Sequence, residues 1–253
     1  WARRCVLETD PCVAMADELI AIYRELSAAV GKLRFSPPVT HVYDPLGYAR
    51  DPVERFLRLA ARASGQSLLL GMNPGPWGMA QTGVPFGSVR VVTGWLGIGG
   101  EVGRPKQEHP KRPVLGFATE REEVSGARLW GWARGRYGTP ERFFDRFFIA
   151  NYCPLVFMES SGRNRTPDKL PVAERAPLFE LCDEALSRVV QVLKPCRVIG
   201  VGRLAEDRAR AALSEFGLPI DRILHPSPAS PVANRGWASQ AERQLAAMGI
   251  EFD

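Results

Sequence analysis

The sequence predicts an α/β protein, a three-layer α/β/α fold with a mostly parallel central sheet of about four strands. Short apolar runs alternate with amphipathic helical patterns along the chain, and parallel strands need crossover connections of that kind. Three of the apolar runs also end in turns that carry a polar side chain. In an open α/β sheet, the crevice beyond the carboxyl ends of the strands is where ligands bind.

Helix caps and periodicity give the order of the elements. Asp10-Pro11 begins a helix that reaches Gly31, and Asp51-Pro52 repeats the cap for a helix over 53–64. The segment 97–113 is too rich in Gly and Pro for regular structure. Strands are expected at 67–70, 147–150, 197–201 and 222–224, and further helices at 89–96, 124–137, 139–146, 174–193, 204–216 and 238–248.

Length and charge set broad limits. The chain has 253 residues and no linker-like stretch, so we expect one domain over 1–253. Within it, an N-terminal helical part (1–66) precedes a motif-bearing core (67–237). The formal net charge of +5 suits a polyanionic partner, although an excess of this size is also common on proteins that never bind nucleic acid.

The cysteines and the apolar runs argue against several classes of protein. An odd number of cysteines without C-x-x-C spacing indicates neither a disulfide framework nor a zinc site. No stretch reaches the roughly 18 consecutive apolar residues of a membrane span. The chain begins with Trp1 rather than Met, so targeting signals cannot be judged. The cysteines are Cys5, Cys12, Cys153, Cys182 and Cys196.

Polar side chains follow three of the predicted strands. Asn73 stands in Gly71-Met72-Asn73-Pro74-Gly75, Asn151 follows the strand at 147–150, and His225 begins His225-Pro226-Ser227-Pro228. If the strands lie parallel in one sheet, these side chains converge on one pocket although they are far apart in sequence.

These motifs carry a family resemblance. Together with Val84-Pro85-Phe86-Gly87 and Cys153-Pro154-Leu155, they resemble the uracil-DNA glycosylase superfamily, in particular its single-strand-selective monofunctional (SMUG1-type) branch. The similarity covers roughly 67–237 and includes the blocks at 107–116, 124–128 and 200–206. It implies an enzyme that removes uracil, and 5-modified uracils such as 5-hydroxymethyluracil, from single- and double-stranded DNA. That reaction initiates base excision repair and needs no metal or organic cofactor.

The resemblance assigns catalysis to Asn73 and His225. Asn73 would position the water that attacks C1′ of the sugar; an amide cannot act as a base at neutral pH, so its part is orientation. His225 would meet uracil O2, where negative charge accumulates as the bond breaks. No lysine lies in the motif loops, so a Schiff-base intermediate is not expected. The structural alternatives are a turn asparagine and a satisfied buried histidine.

The resemblance also assigns residues to the base pocket. Asn151 offers the donor and acceptor that match uracil N3–H and O4 and mismatch cytosine. Phe86 would stack under the base, and Met72 would also contact it. Gly75 stands where aspartate-bearing relatives have a tyrosine, so it should leave room beside uracil C5. A loop cap, a core aromatic ring and a turn glycine are the alternatives for Asn151, Phe86 and Gly75.

The segment after His225 resembles the loop that replaces an extruded nucleotide in duplex DNA. The family's wedge often carries an arginine directly after His-Pro-Ser-Pro, where this chain has Ala229. The clusters Arg163-Asn164-Arg165 and His109-Pro110-Lys111-Arg112 could neutralise phosphates or be solvated surface. The predicted wedge residues are Pro226, Ser227, Pro228, Ala229, Ser230, Asn234 and Arg235.

Two other functions fit the same motifs. A superfamily member could prefer another deaminated base, and a damaged-DNA binding module with little turnover would also need to capture a base. The expected partner in every case is DNA. We expect a monomer with no membrane partner, located in the cytoplasm with the nucleoid of a bacterium or in the nucleus of a eukaryote.

Overall fold

A computed structural model describes residues 10–252, so Trp1 and Cys5 lie outside the described part. The strands, numbered along the chain, are β1 (Val39–Tyr43), β2 (Ser67–Gly71), β3 (Phe147–Asn151), β4 (Val156–Glu159), β5 (Asn164–Arg165), β6 (Arg197–Val201) and β7 (Ile220–Ile223). The α-helices are α1 (Pro11–Val30), α2 (Pro45–Tyr48), α3 (Arg50–Ala60), α4 (Met79–Thr82), α5 (Val89–Gly94), α6 (Val124–Tyr137), α7 (Pro140–Phe144), α8 (Val172–Leu193), α9 (Arg203–Ala212) and α10 (Trp237–Ala247).

The main sheet has four parallel strands in the order β3-β2-β6-β7. Its central strand β2 is a continuous apolar run because strands lie on both sides of it and helices flank the sheet. Leu68, Leu69 and Leu70 accordingly have no exposed surface. The predicted α/β class, with a parallel sheet of four strands, is confirmed.

A second sheet was not predicted from the sequence. β1, β4 and β5 form a small antiparallel sheet in the order β1-β4-β5, and Tyr43 pairs with Val156. The strand β1 lies inside 1–66, which the sequence analysis described as helical. Its backbone partners come from β4, more than a hundred positions away, so no local pattern announces the pairing.

Of the two predicted helix caps, one is confirmed and one is wrong. Asp10 caps α1 as expected, because its side chain accepts a hydrogen bond from the backbone N–H of Cys12 at 2.8 Å. Asp51 is not an N-cap; it lies in the first turn of α3 and pairs with Arg55 at 2.8 Å. The helix α8 also runs unbroken through Pro177, which removes one backbone donor near its beginning without ending the helix.

The helices pack against one another as well as against the sheet. α1 packs against α3 and α8, while α6 packs against α7 and α10. Trp130 on α6 and Phe143 on α7 are fully buried, and the Phe143 ring stacks on Phe147 of β3 with the ring centroids 5.3 Å apart. Burial of each such ring stabilises the fold by about 1.5–3 kcal/mol. This aromatic cluster anchors α6 to the sheet. None of the helices in the described part is long and apolar enough to cross a bilayer.

Candidate active site

A cavity of about 440 Å³ lies beyond the carboxyl ends of the parallel strands. Gly71 pairs with Asn151 in the sheet, so the turn after β2 and the end of β3 meet at the same edge. The turn after β7 reaches that edge as well. The predicted convergence of Asn73, Asn151 and His225 is therefore found in the structure. The predicted residues that line the cavity are Met72, Asn73, Gly75, Phe86, Asn151, His225 and Ser227.

The side chain of Asn73 is held by the backbone. Its Nδ2 donates to the carbonyl oxygen of Leu155 at 3.2 Å and, more weakly, to that of Pro74 at 3.5 Å. Leu155 belongs to the segment that joins β3 to β4 and is buried. Because its donor group is engaged, Asn73 offers its Oδ1 as an acceptor to a molecule in the cavity.

Asn151 and Phe86 approach each other across Gly71. A Cβ atom at Gly71 would overlap Oδ1 of Asn151 and lie 2.8 Å from the ring of Phe86. The Nδ2 of Asn151 contacts the Sδ of Met79 at 3.3 Å, which fixes the other end of the amide. Gly71 is thus required for the shape of the pocket, a role that the sequence analysis did not assign to it.

The backbone at Phe86 is in the left-handed region, with φ of 56°. This conformation is uncommon for a bulky residue, and a strained residue of this kind typically costs about 1–3 kcal/mol. The helix α6 supports it: Trp130 Nε1 donates to the carbonyl oxygen of Pro85 at 3.1 Å, and Gly126 lies directly against the Phe86 backbone. The ring of Phe86 is 6.3 Å from that of His225, centroid to centroid.

His225 is positioned through its neighbour Leu224. The backbone N–H of Leu224 donates to Gln244 Oε1 at 2.8 Å, and Trp237 Nε1 donates to the carbonyl oxygen of Leu224 at 2.6 Å. Both partners lie on α10. Burial lowers the pKa of His225 below its ordinary value of 6.5, so the imidazole is neutral at pH 7. A neutral ring can donate a hydrogen bond to a developing anion.

The predicted wedge is a largely exposed loop that Arg128 ties to α6. Arg128 Nη1 donates to the carbonyl oxygens of Pro226 at 3.1 Å and Ser227 at 3.3 Å, and its Nη2 donates to Asn234 Oδ1 at 2.8 Å. Asn234 Nδ2 donates to the carbonyl oxygen of Pro228 at 3.0 Å, so its side chain braces the loop from within.

The exposure of the loop varies along its length. Pro226 is buried, whereas Pro228, Ala229 and Arg235 are exposed and Ser230 is half-buried. Val232, next to these residues, is 50% exposed, which gives the loop an apolar tip. Such a tip is the kind of group that can enter a base stack.

The structure also adds residues that the sequence analysis did not place in the pocket. Glu123 and Ser125, at the beginning of α6, line the cavity, as do Asn164 and Thr166. Ser125 belongs to a block that carried the family resemblance, so that block was the available signal. Gly75 was expected to leave open space, but the carboxyl group of Glu123 lies beside it. A Cβ at Gly75 would be 2.6 Å from Oε2 of Glu123.

One of the two basic clusters is mainly structural. His109 is buried; its Nε2 lies 3.1 Å from the carbonyl oxygen of Glu159, and the backbone N–H of Lys111 donates to its Nδ1 at 3.0 Å. In the other cluster, Asn164 faces the cavity and Arg165 pairs with Glu159 at 3.4 Å. Neither His109 nor Asn164 is a solvated surface residue.

The described cysteines are all free thiols, namely Cys12, Cys153, Cys182 and Cys196. Within residues 10–252, no group of three His, Cys, Asp or Glu side chains is arranged to hold a metal ion.

A solved structure shares this fold. The crystal structure of wild-type SMUG2 from Pedobacter heparinus matches with a TM-score of 0.68 at 16% identity, over 93% of this chain and 97% of that chain. At this level of identity the likeness concerns the fold alone. The chain therefore has an α/β fold of the uracil-DNA glycosylase-like class.

Sequence comparison identifies the family. No model of a known protein family matches the chain. The single-strand-selective monofunctional uracil-DNA glycosylase of Rattus norvegicus is 48% identical over 244 residues, which are 95% of this chain and 88% of the rat protein. The Mus musculus protein of that name is 47% identical over 248 residues (97% and 89%), and the Bos taurus protein 48% over 239 (94% and 88%). The chain belongs to the family of single-strand-selective monofunctional uracil-DNA glycosylases.

Proposed function

We propose that this protein is a monofunctional DNA glycosylase. It hydrolyses the N-glycosidic bond of uracil, and of 5-modified uracils such as 5-hydroxymethyluracil, in single- and double-stranded DNA. The products are the free base and an abasic site, which initiates base excision repair. The observation that carries the proposal is the meeting of Asn73, Asn151, His225 and Phe86 in one cavity.

The proposed reaction proceeds through an oxocarbenium-like sugar. The bond between N1 of the base and C1′ breaks with its electron pair on the base, and the resulting anion spreads onto O2. The neutral imidazole of His225 donates a hydrogen bond to that oxygen. A water held by Oδ1 of Asn73 then adds to C1′ and loses its proton to solvent. Because the cation is nearly formed before the water attacks, orientation of the water is enough.

The base is recognised by its edge and its face. Asn151 pairs with N3–H and O4, and cytosine would present a donor where Asn151 needs an acceptor. Phe86 stacks under the ring, an interaction worth about 1–3 kcal/mol per base. Met72 completes the contact surface. Gly71 makes this pairing and stacking possible together, since any side chain there would push Asn151 and Phe86 apart.

The loop that follows His225 contacts DNA. In a duplex, its apolar tip fills the place of the extruded nucleotide, whose extrusion costs a few kcal/mol. Single strands need no such replacement. The net charge of +5 favours association with the phosphate backbone.

The decisive experiment measures release of free base from a labelled oligonucleotide. Single-stranded and duplex substrates containing one uracil are incubated with the protein, and abasic sites are detected by alkaline cleavage. We expect release from both. Tight binding without release would instead indicate a damaged-DNA binding module, and release of another deaminated base but not uracil would indicate a different substrate.

A further inference from the structure

Glu123 places a carboxyl group in the base pocket. It is the residue before α6, and among the described residues that line the cavity it is the only one with a carboxyl group. Its side chain lies across two glycines of the turn after β2. A Cβ at Gly75 would be 2.6 Å from its Oε2, and a Cβ at Gly78 would be 3.0 Å from its Cγ. Because Gly75 and Gly78 have no side chains, the carboxyl group of Glu123 can occupy this space.

The carboxyl group of Glu123 is largely withdrawn from water and has two neighbours that favour its charged form. Burial raises the pKa of Glu123 above its ordinary value of 4.5, and a hydrogen bond from the backbone N–H of Ser125 and the positive charge of Arg121 offset only part of that rise. Arg121 lies over the ring of Trp77, 4.6 Å from its centroid. A carboxylate that is partly withdrawn from water forms stronger hydrogen bonds than one in bulk solvent.

The proposed function leaves one edge of the base for Glu123. N1 joins the sugar, O2 faces His225, and N3 and O4 face Asn151. The remaining edge is C5–C6, and C5 is where modified uracils carry their substituents. Glu123, which has no part in the proposed reaction, lies against Gly75, the glycine that the family resemblance places beside C5.

We propose that the Glu123 carboxylate accepts a hydrogen bond from a hydroxyl group on the C5 substituent of the bound base. Glu123 is therefore a specificity-determining residue that favours 5-hydroxymethyluracil, which offers a hydroxyl donor, over 5-formyluracil, which offers only an acceptor. A carboxylate facing a formyl oxygen would be repelled by it. This inference rests on the proposed function, because it requires that the cavity bind a uracil ring.

The test compares three bases in one single-stranded sequence: uracil, 5-hydroxymethyluracil and 5-formyluracil. Excision rates are measured for the wild type, Glu123→Gln and Glu122→Gln, at a fixed pH near 8. The amide of Glu123→Gln has the same shape as the carboxylate but can also donate, so it can pair with a formyl oxygen. Glu122 is the exposed neighbour on the same segment and is the matched control.

We expect Glu123→Gln to lower the ratio of hydroxymethyl to formyl rates by at least about tenfold, and Glu122→Gln to leave it unchanged. Comparing ratios between variants cancels the different leaving-group strengths of the two bases. A site built to pair with a hydroxyl typically discriminates by this much or more. An unchanged ratio in Glu123→Gln would overturn the assignment.

A second pair of variants tests the same contact from the other side. Gly75→Ala places a methyl group 2.6 Å from Oε2 of Glu123, so it should displace the carboxyl and lower the rate on 5-hydroxymethyluracil relative to uracil. In a Glu123→Ala background the obstruction is gone, so the added methyl group should have little further effect on that ratio. Additive effects would contradict the contact.

The outcomes also separate this inference from the function on which it rests. If the wild type releases no uracil, the proposed glycosylase activity is wrong. If it releases uracil while neither Glu123→Gln nor Gly75→Ala changes the ratios, the activity stands and Glu123 has no part in substrate choice.

Discussion

Two amides and an uncharged imidazole supply the polar contacts of the proposed reaction. Asn73, Asn151 and His225 carry no formal charge, and burial lowers the pKa of His225 so that it stays neutral. Neutral dipoles that are already oriented stabilise a developing charge without a large desolvation cost. The geometry of these side chains therefore matters more than their basicity.

Replacement of Asn73 should lower the rate of base excision without changing the affinity for DNA. Asn73→Ala should lower the single-turnover rate on uracil-containing DNA by about 10²–10³-fold, because the water under C1′ loses its acceptor. The dissociation constant for the same DNA should hardly change, since the amide acts only as the bond breaks. Rapid-quench kinetics and fluorescence anisotropy measure the two quantities, and a parallel loss of affinity would assign Asn73 to binding.

The loss of rate on replacing His225 should depend on whether Asn73 is present. His225→Ala should also reduce the single-turnover rate by about 10²-fold or more, through loss of the hydrogen bond to O2. The two side chains act on opposite ends of one charge separation, so the double variant should lose less than the product of the two single losses. Strictly multiplicative losses in the double variant would argue against a shared transition state.

Among the elements, α6 connects the pocket to the loop that follows His225. Its aromatic residues pack against α7 and β3, while Arg128 holds the loop after β7 through three acceptors. Hydrogen bonds to a charged group contribute about 1.5–3 kcal/mol each. Because α6 is fixed to the sheet, Arg128 also fixes the position of the loop and of His225 at its beginning.

Removal of this tie should affect duplex DNA more than single strands. Arg128→Ala should lower the excision rate on duplex uracil by roughly tenfold, and the rate on single strands by less, because only the duplex requires the loop to replace a base. Arg134→Ala, an exposed arginine on the same helix, is the matched control for loss of charge. Equal losses on both substrates would mean that Arg128 acts on His225 rather than on the wedge.

At the scale of the whole molecule, the described residues around the cavity offer no amine to the reacting sugar. Among residues 10–252, none of those lining the cavity is a lysine. We therefore expect borohydride to trap no covalent adduct between the protein and uracil-containing DNA, under conditions where base release is complete. A lysine-dependent lyase serves as the positive control, and a trapped adduct would contradict a monofunctional reaction.

We also propose that residues 1–253 form one domain. The support is that α1, from the N-terminal part, packs against α8. Along the chain, α8 follows the last strand of the small sheet and precedes β6 of the main sheet. The small sheet likewise joins β1 to strands that follow β3 in the chain. The division into a part at 1–66 and a core at 67–237 is therefore one of sequence motifs, since the packing crosses it.

Local sequence was sufficient wherever one segment carries its own signal. The apolar run of β2 predicts a strand within a few residues, because a strand buried on both faces is apolar throughout. The Asp10-Pro11 pair likewise predicts the beginning of a helix, because the first N–H groups of a helix need nearby acceptors. The polar residues at or just beyond the carboxyl ends of β2, β3 and β7 could be predicted to lie together because parallel strands share a carboxyl edge. These signals predicted the fold class and the convergence of Asn73, Asn151 and His225.

Tertiary structure decided what depends on distant partners. Glu123 enters the pocket because Gly75 and Gly78, more than forty positions earlier, leave space for its carboxyl group. β1 is a strand because β4 supplies its hydrogen bonds, and Asn234 braces the loop after β7 because Arg128 reaches it from α6. A side chain's neighbours across the fold are set by how whole elements pack, and no window of sequence contains both members of such a pair.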